Sequence, residues 1–140
     1  MASVFTKILE GQIPGRFVWK DERCFAILTI NPLRPGHTLV IPRQEIDHWL
    51  DVPADLRNHL FEVGQTIGKA QMQAFRPTKV GLTIVGLEVR HVHLHVMPID
   101  AIQDMDFARA DKDPKPEALD AAATKLRAAL KAMGRKEVTG

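Results

Sequence analysis

Three histidines alternate with aliphatic residues in His91-Val92-His93-Leu94-His95-Val96-Met97-Pro98, a run whose period is two. Successive side chains of an extended strand point to opposite faces, so the run predicts a strand with three imidazoles on one face and Val92, Leu94 and Val96 on the other. The aliphatic face belongs to a core. Three rings in a row are poorly explained as packing, because each brings nitrogens that need partners if buried. At about 3.3 Å of rise per residue, neighbouring rings sit roughly 6.6 Å apart and the outer pair roughly 13 Å apart. Two chemistries suit that spacing. Two of the histidines could converge on one tetrahedral zinc, with a further ligand such as Glu45 or His37 from another strand. Alternatively an elongated anion such as a phosphate ester lies along the strand with the middle ring at the phosphorus. A neutral imidazole suits that role, being nucleophilic at one nitrogen and a donor at the other.

Bulk properties narrow the setting. A chain of 140 residues, 45% hydrophobic, is long enough for one domain with a core of its own. Its 19 basic and 17 acidic residues are scattered along the sequence and leave a net charge of +2, which does not favour nucleic acid as a partner. Cys24 is the only cysteine, which excludes an internal disulfide and a cysteine-rich zinc site; the expectation for Cys24 is an inert buried thiol. No signal-peptide pattern opens the chain and no apolar run approaches the roughly 18 residues of a membrane span, so a cytoplasmic protein without membrane contact is expected.

Along the chain, Ser3 can cap a short helix from Val4 to Glu10, stopped by Gly11 and Pro14. Arg16 to Lys20 and Cys24 to Ile30 read as a hairpin about Asp21, Glu22 and Arg23. Asn31-Pro32-Leu33-Arg34-Pro35-Gly36 is a turn, and His37 to Ile41 a third strand ended by Pro42. Helical spacing of Leu56, Leu60, Val63, Ile67 and Ala70 predicts a long helix from Ala54 to Phe75. Val80 to Val85 and Val89 to Met97 read as two more strands about Gly86. Residues 99–115 read as a surface loop, and Pro116 opens a C-terminal helix to Met133 with an apolar stripe of Leu119, Ala123, Leu126 and Leu130. The result is a single α+β domain over 1–140, with its core at about 3–98: a mainly antiparallel five-stranded sheet, one long central helix and a C-terminal helix. Strands outnumber the helices that could cover them, which points to a homodimer. Trp19 and Trp49 read as packing residues, and His48 as solvated or capping.

The run from His91 to Met97 resembles the signature of the histidine-triad (HIT) family at every position. Ser3-Val4-Phe5-Thr6-Lys7-Ile8-Leu9-Glu10-Gly11, Ile13-Pro14 and Pro35-Gly36-His37-Thr38-Leu39-Val40-Ile41-Pro42 resemble its other landmarks, so the likeness spans about Ser3 to Pro98. The resemblance implies a nucleotide-binding homodimer that hydrolyses or transfers nucleotidyl groups through a covalent histidine intermediate, with no cofactor. Carried over by position, it implies His93 as nucleophile at the α-phosphorus and His95 as the group that contacts the phosphate or assists the leaving group. His91 and His37 would orient them. It also suggests Phe5, Ile8, Phe17, Leu28 and Ile30 as walls of a nucleoside cleft, Thr29 at the ribose position, and Gly86 and Arg90 beside the phosphate.

The chain departs from the family pattern in three places. The first is Thr29, which stands where an acidic or amide residue is expected at the ribose and can make only one of the two hydroxyl contacts a carboxylate could accept. The ligands of the zinc that some members carry correspond to Ser3, Thr6, Glu45 and His91, of which three are not the family's Cys, Cys and His, so no metal is expected. The segment before the triad, Ile84-Val85-Gly86-Leu87-Glu88-Val89-Arg90, is short and keeps only Gly86 of the usual polar loop. That departure keeps open a nucleotide-binding regulatory module without turnover, and the His-x-His metalloprotein remains a third alternative.

Overall fold

A computed structural model describes residues 2–138. Ser3 caps α1 (Val4–Leu9), its Oγ accepting from the Thr6 N–H at 3.1 Å. The hairpin of β1 (Phe17–Lys20) and β2 (Cys24–Leu28) turns on Asp21, whose Oδ1 accepts from the Arg23 and Cys24 N–H groups at 2.8 Å each. After it come β3 (Thr38–Pro42), α2 (Ala54–Phe75), β4 (Lys79–Thr83), β5 (Leu94–Ile99) and α3 (Pro116–Ala132). The five strands form one sheet, every neighbouring pair antiparallel, in the order β1-β2-β3-β5-β4. This is the α+β fold that the sequence predicts.

Strand alternation sorts the side chains into two layers. Cys24, Ala26, Leu28, Val40, Leu94 and Val96 lie beneath Leu56, Leu60, Val63 and Ile67 of α2 and Leu126 and Leu130 of α3. On the opposite face Phe25, Ile27, Leu39 and Ile41 pack with Phe5 of α1, and Phe17 closes the layer. Leu39 pairs with His95 in the β3–β5 register, so the histidines belong to the α1 layer, away from the long helices.

Several predicted boundaries shift. The strand expected from Val89 starts only at Leu94, and β4 ends at Thr83, leaving a loop over 84–93. Gly86 there has φ +72, and the Val92 N–H donates at 2.7 Å to the Ile46 carbonyl beyond β3, not to a ladder. Pro42, at the end of β3, has no N–H with which to extend the pairing. The hairpin strands are also shorter than expected, β1 starting at Phe17 and β2 stopping at Leu28. The surface stretch 99–115 contains two 3-10 turns, Ile102–Met105 and Phe107–Arg109. Trp19 is buried, but Trp49 is 48% exposed and so is not a core residue; it opens a 3-10 turn capped by His48, whose Nδ1 accepts from the Leu50 N–H.

Candidate active site

His93 and His95 stand side by side with ring centroids 4.8 Å apart, closer than the bare strand repeat because the rings lean together. Phe5 lies edge-on to His91 and His93 at 5.7 and 4.9 Å, so the three rings keep to one side although only His95 lies within β5. All three, and His37, are buried.

Their partners assign the tautomers. The Leu33 N–H donates to His37 Nδ1 at 3.0 Å, so His37 carries its proton on Nε2 and donates it to His95 Nδ1, also at 3.0 Å. His95 is left with an N–H at Nε2 and no partner for it among the described residues. His93 is held the opposite way: its Nδ1–H donates to the His91 carbonyl at 2.8 Å, and the Nε2 lone pair is free. The row thus presents a nucleophilic nitrogen beside a donor.

His91 faces neither. Its Nε2–H donates to the Pro42 carbonyl at 2.7 Å, and its Nδ1 accepts from Ser3 Oγ at 2.6 Å. The Ser3 N–H and Thr6 Oγ1 both donate to Glu45 Oε1 at 2.6 Å. Those bonds, the Ser3 N–H first, pull the exposed Glu45 carboxyl below its ordinary range. Ser3, Thr6, Glu45 and His91 therefore hold one another, at the four positions where the sequence resemblance leads one to look for a zinc site. Two of the four are neutral hydroxyls, and both His91 nitrogens are committed to protein partners. The set does not fit zinc. The same bonds remove His91 from any His-x-His chelate with His93.

Burial keeps the histidines neutral. It pushes His37 down to about 4 and His95 to about 3, with neighbouring rings adding to the shift. His93 also falls on burial, although its bond to the His91 carbonyl acts in the other direction. A neutral His93 is the form that can attack.

Around the row, Phe5 is buried against it, and Ile8 and Phe17 are half-buried in the same layer. Leu28 is not: it points into the core under the helices, because β2 alternation gives the α1 face to Ile27. Leu28 therefore does not stand with Phe5, Ile8 and Phe17 on the α1 face. Thr29 is half-buried at the end of β2, its Oγ1 accepting from the Asn31 N–H at 3.2 Å, while Ile30 is 68% exposed. Gly86 lies in the 84–93 loop, and Arg90 is exposed there.

The sequence reading missed two contributors. Phe107, in the expected surface loop, lies edge-on to His95 at 4.8 Å and 6.4 Å from His37; a lone aromatic in a polar stretch was its signal. Gln71, fully buried, donates from Nε2 at 2.9 Å to the carbonyls of Gly36 and Val96, tying the residue before His37 to the one after His95. Its signal was a polar residue continuing the apolar stripe of α2.

A sequence model of the HIT domain matches residues 10–102. The chain belongs to the HIT family. An uncharacterised HIT-like protein of Methanocaldococcus jannaschii is 35% identical over 99 residues, 68% of this chain and 77% of that one. Among solved structures, a zinc-bound histidine-triad protein of Mycobacterium smegmatis superimposes with a TM-score of 0.80 at 29% identity, covering 96% of each chain. A hypothetical histidine-triad nucleotide-binding protein of Sulfolobus tokodaii shares the fold, with a TM-score of 0.79 at 24% identity over 94% of each chain. In this HIT protein, among the described residues, no helix is long and apolar enough to cross a membrane.

Proposed function

We propose that this HIT protein is a nucleotide hydrolase or nucleotidyl transferase acting on a nucleoside 5′-phosphoryl substrate. The observation that carries the reading is the pair of unpartnered nitrogens, the His93 Nε2 lone pair beside the His95 Nε2–H. His93 Nε2 attacks the α-phosphorus, a P–N bond forms, and the bond to the leaving group breaks. Water then cleaves the P–N bond, returning His93 and releasing the nucleotide. His95 donates to the phosphoryl oxygens or to the departing atom. Bound phosphate offsets part of the burial that keeps the His37–His95 pair uncharged, which lets the pair supply the leaving group's proton. Such chemistry depends on position and charge more than on further reacting groups, and the bonds from Leu33 through His37 to His95 supply the position.

Phe5, Ile8 and Phe17 offer the base an apolar wall, with Thr29 and Ile30 at the rim for the ribose. Arg90 is the cation available to the phosphate from the 84–93 loop. The protein works as a homodimer: β4 is an edge strand, and Leu82 on it is exposed beside Phe61 and Met72 of α2, lining a groove of about 300 Å³. The test of function is a screen of nucleoside phosphoramidates, dinucleoside polyphosphates and nucleotide sugars by product chromatography, with His93→Ala as blank. Release of a nucleoside monophosphate by the unmutated protein alone supports the reading. Nucleotide binding without turnover would favour a regulatory module, a second reading motivated by the 84–93 loop, where Leu87 is 86% exposed and no polar side chain but Glu88 and Arg90 precedes the row.

A further inference from the structure

Asp21, Cys24 and His59 meet on the helix side of the sheet, in the layer opposite the histidine row. Asp21 heads the β1–β2 turn, Cys24 opens β2, and His59 comes down from α2. Their ligand atoms all lie within 4.8 Å of one another: Cys24 Sγ is 3.5 Å and His59 Nε2 is 2.8 Å from Asp21 Oδ2. Four-coordinate zinc with bonds of about 2.0 to 2.3 Å sets ligand atoms roughly 3.3 to 3.6 Å apart, so the S–O edge already fits and the N–O edge must open by about half an ångström. The donor set also suits a borderline-soft ion: one thiol, one imidazole and one carboxylate.

We propose that Asp21, Cys24 and His59 form a binding site for a zinc-class divalent cation that staples the β1–β2 turn to α2. Access is from the Asp21–His59 side, where those side chains are 16% and 26% exposed, while the thiol lies beneath. The fourth position is left to water. On binding, the Cys24 thiol gives its proton to solvent and His59 moves its own from Nε2 to Nδ1, freeing Nε2 for the metal. Burial and the adjoining Asp21 carboxylate hold the thiol protonated in the metal-free protein, and the incoming cation reverses both effects. Around the three, the Trp19 indole N–H donates to Asp21 Oδ2 at 2.8 Å and Arg43 Nε donates to the Asp21 carbonyl at 2.8 Å, so the carboxylate and its turn are already oriented.

Cobalt is the direct probe, because Cys24 is the chain's only thiol and a thiolate-to-cobalt charge-transfer band can come from nowhere else. Full-length protein titrated with Co²⁺ should develop that band to one equivalent per chain, lose it to Zn²⁺, and melt several degrees higher with Zn²⁺ present. His59→Gln, at a partly exposed position that tolerates the change, should weaken the affinity at least roughly tenfold, the scale on which even outer-shell losses are measured. Cys24→Ser should abolish the band. No band at saturating Co²⁺, or an unchanged titration in His59→Gln, would overturn the proposal. The fold of each metal-free variant is checked by circular dichroism, and should Cys24→Ser not fold, the His59→Gln titration alone decides.

Discussion

Acidifying the protein should destabilise it well before its carboxylates titrate, and the His37–His95 pair sets the window. His37 is 2% exposed and its folded pKa lies near 4. The unfolded chain therefore takes up a proton first as pH falls. The stability that His37 contributes is whole above the unfolded value of about 6.5, declines between about 6.5 and 4, and is fully lost below that range. For His37 alone, linkage gives about 2 kcal/mol lost by pH 5 and about 3 kcal/mol in total. His95, pushed to about 3, shifts in the same sense, but the two share one hydrogen bond and titrate as a unit, so the His37 figure serves as the lower bound. Asp21 and Asp100 also have lowered values, of about 2, but exert their effect only below the ordinary carboxylate range, whereas burial lowers His91 and His93 in this same window, so the contribution of His37 is read from its own variant. The assay is urea unfolding at about pH 7.5 and pH 5, comparing the unmutated protein with His37→Gln. The difference between the two pH values should shrink by about 2 kcal/mol in the variant. Equal pH dependence in both proteins, or a proton-NMR midpoint for His37 at the ordinary histidine value, would refute the reasoning.

Other outcomes follow from particular contacts. Gly36→Ala should cost about 2 to 4 kcal/mol in chemical unfolding, because φ is +88 there and an added Cβ would fall on the Phe75 ring. Ser3→Ala removes both the α1 cap and the partner of His91 Nδ1, so it should lose about 1 to 2 kcal/mol of stability and lower turnover without abolishing it. Gln71→Leu should destabilise by about 2 kcal/mol, since two buried carbonyls lose their donor. Light scattering should report twice the 15.7 kDa chain mass at tens of micromolar, and a monomer there would remove the dimer.

The sequence spoke most clearly where pattern and packing agree. The α2 bounds follow from the spacing of Leu56, Leu60, Val63 and Ile67, and the order of strands from short β-rich runs between Gly, Pro and Asp. It was least clear where a tertiary bond outweighs local preference. Val89 to Val92 looks like a strand, but Val92 donates to Ile46 and the chain bends, a partner no periodicity announces. The row of histidines was visible, whereas the reason His93 and His95 carry opposite tautomers was not, because it depends on the His91 carbonyl and the Leu33 N–H, which are backbone groups. Which face Leu28 takes was not legible from β2 alone. Phe107 and the Asp21–Cys24–His59 cluster each join segments far apart in the chain, so only the folded coordinates bring them together.

The central claim, that His93 Nε2 is the attacking atom, is tested most directly by intact-mass spectrometry after rapid quench with a nucleoside phosphoramidate whose second step is slow. The unmutated protein should gain the mass of one nucleotidyl group, mapped to His93, labile in acid and stable in mild base. His93→Ala should bind nucleotide and show no adduct, whereas His95→Ala should slow the reaction by about 10² to 10⁴. Normal turnover by His93→Ala, or an adduct mapped to another residue, would contradict the account.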